Sequence, residues 1–129
     1  MLRVTTFVGL GTLLFLTAGC GSSLEEGRAL YESAGCGSCH GPNGHGDGPV
    51  AASLQVRPTD FRYPSRFRNG SDETAIAGTL LNGVAIHRAA TATSDADHDR
   101  VMPAFDHLTE RQRRSIALYV ISLQTGDRP

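Results

Sequence analysis

The sequence predicts an all-α fold, with a few helices packed around one buried centre. Three observations carry that prediction. Stretches near residues 23–34, 71–82 and 109–125 combine helix-start residues with apolar positions at helical spacing. No stretch shows the strict alternation of a half-buried strand. One compact cluster, Cys36-Gly37-Ser38-Cys39-His40, sits in a chain of 129 residues, too short to build a large core unaided.

The first helix is expected to start at Ser23. Ser23-Leu24-Glu25-Glu26 fits the S-x-x-E capping box. Gly27, Leu30, Tyr31 and Ala34 fall at i, i+3, i+4 and i+7, on one face. A glycine on that face weakens the helix. It makes sense where a second helix crosses at close range.

Gly35 ends the helix and leads into the C-x-x-C-H cluster, the pattern for covalent attachment of a c-type haem. Two thiols separated by two residues can form thioethers with the two vinyl groups of a porphyrin. The adjacent His40 then offers an imidazole nitrogen to the iron. A zinc site would want further Cys or His ligands downstream, and no later cysteine exists. A thioredoxin-like motif would want a βαβ context, which is missing. One covalently bound haem c is therefore expected, on Cys36 and Cys39.

Four glycines between His40 and Gly48 argue for a loop whose backbone passes close to something, with a haem edge the obvious neighbour. Pro49, Pro58 and Pro64 extend the loop to about Gly70. A structureless stretch of this length is unusual unless it wraps a cofactor. Leu54, Val56, Phe61 and Phe67 are expected to face the pocket. A second helix should follow, with Ser71 as its N-cap, Ile76, Leu80 and Leu81 inward, and Gly83 as its stop. The acid-rich run at 95–99 lacks the Gly and Glu of a calcium loop and reads as solvated. The last helix has the sharpest signals. Thr109 to Gln112 form a capping box, Ile116, Val120 and Leu123 a core stripe, and Gly126 the stop.

The second axial ligand has several candidates. Met102, in Val101-Met102-Pro103-Ala104-Phe105, is the only methionine besides Met1. Pro103 biases Met102 toward extended backbone, and a thioether is a soft ligand that raises the reduction potential. His87 is the best rival, which would give bis-His ligation. His45 lies too close in sequence to the attachment motif, His98 falls in the acidic run, and His107 reads as a surface residue.

The N-terminus reads as a targeting segment. Met1-Leu2-Arg3 is followed by an apolar run to Thr17 that is too short to span a membrane. Leu16-Thr17-Ala18-Gly19-Cys20 resembles the bacterial lipoprotein signal, in which the cysteine becomes the lipidated first residue. All three cysteines then have a use: lipid on Cys20, haem on the other two. The expected organisation is a signal peptide at 1–19, a short lipidated tether at 20–23 and a folded domain at 24–129. The formal charge of −1 gives no support to nucleic-acid binding.

Taken together, the chain resembles a class I (mitochondrial-type) monohaem cytochrome c of bacteria, from about Leu24 to Leu123. The resemblance rests on the helix with Gly27 and Tyr31, the motif from Cys36 to His40, Met102-Pro103-Ala104-Phe105, and the final helix with Tyr119. Gly44-His45-Gly46-Asp47-Gly48-Pro49 also resembles a variant common in bacterial respiratory-chain members. The resemblance implies that the first and last helices cross near Gly27 and Tyr119, and that His40 and Met102 ligate the iron. It also implies that a proline carbonyl holds the other ring nitrogen of His40, with Pro49 the first choice and Pro58 the second. The segment 84–101 is longer than compact members need.

The function this implies is electron transfer rather than catalysis. The expected protein is a membrane-tethered carrier moving single electrons between respiratory-chain partners on the extracytoplasmic, periplasmic side. The alternatives are a fixed subunit of a quinol-oxidising or terminal oxidase complex, and a five-coordinate haem sensor or enzyme.

Overall fold

The computed structural model describes residues 23–85 and 100–126. Cys20, the expected signal peptide at 1–19, His87, His98 and the acidic run at 95–99 lie outside the described residues.

Among the described residues four helices make the frame: α1 (Ser23–Ser33), α2 (Cys36–His40), α3 (Glu73–Asn82) and α4 (Glu110–Thr125). The all-α reading holds, with one small addition. Two short strands, β1 (Val84–Ala85) and β2 (Arg100–Met102), form an antiparallel ribbon in which Val84 pairs with Met102. Strands of two and three residues are too short to show a period of two, so the sequence carried no sign of them.

α1 and α4 cross at Gly27. A side chain there would overlap the Ser115 carbonyl and press on Tyr119, so only glycine allows this approach. Next to the crossing, the rings of Tyr31 and Tyr119 meet edge to face, with centroids 5.3 Å apart. Glu26 spans the same crossing, accepting from Ser115 Oγ and from Arg111, each at 3.1 Å. The helix pairing expected at Gly27 and Tyr119 is thus present.

The helix starts follow local chemistry. At α4, Thr109 Oγ1 accepts from the Gln112 backbone N–H at 3.2 Å, and the Thr109 N–H donates to Gln112 Oε1 at 2.9 Å. This reciprocal pair is the expected capping box. Gly126 closes the same helix in the left-handed region. At α3 the cap is Asp72, one residue after the expected Ser71, and its carboxylate accepts from Ala75 N–H at 3.0 Å. An acid at the N-cap also meets the positive end of the helix dipole. Ser23 lies inside the first turn of α1.

The core joins Tyr31, Phe61, Ile76, Leu80 and the inner face of α4. Ile116 and Ala117 are essentially closed to solvent. Leu81, expected to face inward, is 40% exposed, while Ile76 and Leu80 are the buried residues of α3.

The stretch 41–70 is less irregular than expected. It contains single 3₁₀ turns at Ala51–Ser53 and Pro64–Arg66. Its glycines approach protein rather than leaving room for a ligand. A side chain on Gly48 would run into the Ser38 carbonyl. This closeness lets the loop satisfy the open carbonyls at the end of α2: Gly46 N–H donates to His40, Gly48 to Cys39 and Val50 to Ser38, at 2.9–3.1 Å.

Candidate functional site

The Cys-x-x-Cys-His cluster forms one short helix, α2, entered through Gly35 in the left-handed region. Cys36 and Cys39 are three residues apart, so both thiols share one helix face. Both are free thiols. Burial pushes the Cys36 thiol up to about 11, so it stays protonated at neutral pH in the bare chain.

α2 is fixed from below by Tyr31. Its hydroxyl donates to the Gly41 carbonyl at 2.7 Å, in a buried position. Burial pushes that hydroxyl well above the ordinary tyrosine value, so it remains a donor.

His40 is oriented from two sides. Its Nδ1 lies 3.2 Å from the Thr59 carbonyl, and its ring stacks on Phe61 with centroids 4.6 Å apart. A carbonyl can only accept, so Nδ1 carries the proton and Nε2 keeps its lone pair. Burial also pushes the imidazole below its ordinary value, with the Thr59 bond opposing this in part. The result is a neutral ring with one nitrogen free to ligate. The sequence pointed to a proline carbonyl here, but the acceptor belongs to neither Pro49 nor Pro58. Pro58 turns its own carbonyl toward Gly46, which leaves the next carbonyl, that of Thr59, facing the ring. Pro49 is exposed, at the edge of the loop that caps α2.

A cavity of about 430 Å³ opens beside α2. Cys36, Cys39 and His40 line one part of it, and Met102 on β2 lines another. Val56, Phe61 and Phe67 line it as expected, and Leu54 does not. Among the described residues the lining holds one histidine, His40, and one methionine, Met102. His45 lies outside it, 4.0 Å from the Asp47 carboxylate, and His107 is exposed beside Phe105.

The backbone around Met102 is held on both sides. Before Pro103, the ribbon pairs it with Val84. After it, Phe105 N–H donates to the Leu80 carbonyl at 2.7 Å. The thioether is therefore presented from a braced segment that packs on the core.

This donor set fits a haem. The walls are mainly apolar, as a macrocycle requires, while two thiols on one helix face match paired vinyl groups. An imidazole lone pair and a thioether are both iron ligands. Cys36 and Cys39 could take the covalent bonds, and His40 and Met102 could ligate the metal.

A helical frame around such a pocket defines a c-type haem protein. A family model for cytochrome c matches residues 24–124, and the chain belongs to that family. The family implies covalently bound haem c and an electron-carrying role. Among solved structures, the chain is similar to a chain of the Kuenenia stuttgartiensis reducing HAO-like protein complex. Identity is 26%, the TM-score is 0.64, and the match covers 94% of this chain but 51% of that one. This chain thus spans about half the length of that relative. No curated protein matches the chain.

Proposed function

We propose that this protein is a membrane-tethered monohaem cytochrome c that passes single electrons between respiratory-chain partners on the extracytoplasmic side. The observation that carries the proposal is the shared cavity, with His40 oriented on one wall and Met102 braced on another. Haem bound there supplies one-electron exchange between ferric and ferrous iron. Cys36 and Cys39 would hold it covalently, and His40 and Met102 would ligate the iron. Phe61 is buried beside His40 and packs on Phe67. Two protein ligands would leave the iron no open position for a substrate, which favours a carrier over a sensor or enzyme.

The tether rests on Cys20 and the apolar run before it. Among the described residues no helix is long and apolar enough to cross a membrane. Lipid on Cys20 would hold the domain close to membrane complexes and raise its local concentration there. The test has two readouts. A potentiometric titration should follow a one-electron curve with one haem per chain. The wild type should fractionate with membranes and Cys20→Ser should be released. A two-haem stoichiometry, or equal release of both proteins, would contradict the proposal.

A second reading is a fixed subunit of a larger redox assembly. It is favoured by the likeness to one chain of a reducing HAO-like complex. Co-purification of a constant partner after mild detergent extraction would support it, and a free monomer would favour the shuttle.

A further inference from the structure

Asp60 sits between the two residues that orient His40. Thr59 on one side supplies the carbonyl 3.2 Å from His40 Nδ1, and Phe61 on the other supplies the ring stacked 4.6 Å away. Pro58, Thr59 and Phe61 line the cavity, and Asp60 does not. Its carboxylate therefore acts on its neighbours rather than on a bound macrocycle.

That carboxylate turns back on its own chain. Oδ1 accepts from the Arg62 backbone N–H at 3.1 Å, the two-residue reach of an Asx turn. The Tyr63 N–H closes a turn on the Asp60 carbonyl at 3.2 Å. The Arg62 side chain adds a two-pronged grip, with Nε donating to Oδ1 at 3.0 Å and Nη2 to Oδ2 at 2.6 Å. An exposed ion pair usually adds little stability, and the Arg62 side chain is half exposed. The Asp60 side chain, however, is only 14% exposed, and its bond to a backbone N–H fixes dihedral angles as well as charge.

This matters at His40. The Thr59 carbonyl belongs to the same planar peptide unit as the Asp60 nitrogen. The backbone of Asp60 thus sets the angle between that carbonyl and the Phe61 ring. Phe61 is anchored from elsewhere: its N–H donates to the Gly44 carbonyl at 2.7 Å. Gly46, two residues on, donates to the His40 carbonyl at 2.9 Å. With His40 and Phe61 both tied to residues 44–46, the Asp60 turn aims the Thr59 carbonyl.

We infer that Asp60 is a positioning residue for the redox centre, holding the Thr59 carbonyl on His40 Nδ1 through its turn with Arg62. The inference rests on the electron-transfer reading and adds a residue that sets the potential without touching the cofactor. A firm bond from Nδ1–H to a carbonyl makes the imidazole a more basic ligand, which favours ferric iron. Loosening it should raise the reduction potential.

The test compares Asp60→Asn with Asp60→Ala in the full-length holoprotein. Both lose the charge. Asparagine keeps a side-chain oxygen for the Arg62 N–H, and alanine keeps none. The effect of charge on the potential is common to both, so their difference isolates the turn. Asp60→Ala should have the higher potential. Its His40 Nδ1 proton, followed by NMR of the ferrous protein, should exchange with solvent about tenfold faster than in Asp60→Asn. Where Asp60→Ala does not fold, Asp60→Ser takes its place. Its hydroxyl makes the same turn more weakly, so its potential and exchange rate should still exceed those of Asp60→Asn. Equal potentials in the two variants, or equal exchange rates, would overturn the inference, since Asp60 would then act by charge alone or not at all. A wild-type holoprotein that does not take up and release one electron reversibly would overturn the electron-transfer reading itself, a result distinct from two variants that behave alike.

Discussion

His40 is held by a backbone carbonyl, a stacked ring and the helix that carries it. The Thr59 carbonyl selects the tautomer and Phe61 limits rotation of the imidazole. Such outer contacts fix the tautomer and orientation of a metal-ligating histidine and tune the metal. Phe61→Ala should therefore shift the reduction potential and cost about 3–5 kcal/mol of stability, since the ring is buried against His40 and Phe67. Potentiometry and denaturant unfolding of the same variant would check both effects. Tyr31→Phe should cost about 1–3 kcal/mol, because it leaves the Gly41 carbonyl without its buried donor. The Cys-x-x-Cys-His motif was fully legible because its chemistry lies in side chains of fixed spacing. The Thr59 contact was not, because every residue has a carbonyl and only the fold decides which one points at the ring. The sequence offered Pro49 first and Pro58 second, and the carbonyl at the ring belongs to Thr59.

At the level of elements, local signals were read more reliably than long-range ones. The capping box of α4 closes within four residues and appeared as expected. Thr109→Ala should lower stability by about 1 kcal/mol, measured by thermal unfolding of the oxidised protein. Ser71 and Asp72 are both good caps, and the choice between them depends on the direction from which the chain enters α3. Gly27 was legible as a misfit, a poor helix former on an apolar face, and the crossing with α4 explains it. Gly27→Ala pits a gain in helix propensity of up to about 1 kcal/mol against overlap with the Ser115 carbonyl, a part of the backbone that cannot turn away. Overpacking costs about 1–3 kcal/mol or more, so the variant should be destabilised. Equal or higher stability in urea would show that the helices do not cross there. The β1–β2 ribbon lay beyond sequence reasoning, yet it braces Met102. Breaking the Val84 pairing should loosen the thioether more than it unfolds the protein.

In the whole molecule, the cavity sets the relation between cofactor and fold. Unfilled core space costs about 24 cal/mol per Å³. Leaving even part of a cavity of about 430 Å³ unfilled would use up much of the stability of a small domain. A Cys36→Ser/Cys39→Ser chain, which cannot retain haem covalently, should show largely unfolded circular dichroism. A native helical signal with a cooperative transition would mean that the protein core alone sustains the fold. The central claim is that His40 and Met102 would both ligate the iron of a haem held in this cavity. The ferric optical spectrum tests it most directly. The wild type should show the weak near-infrared band of thioether-to-iron ligation, and Met102→Ala should lose it and gain ready CO binding when reduced. A wild-type spectrum without that band, together with CO binding to the reduced wild type, would contradict the claim.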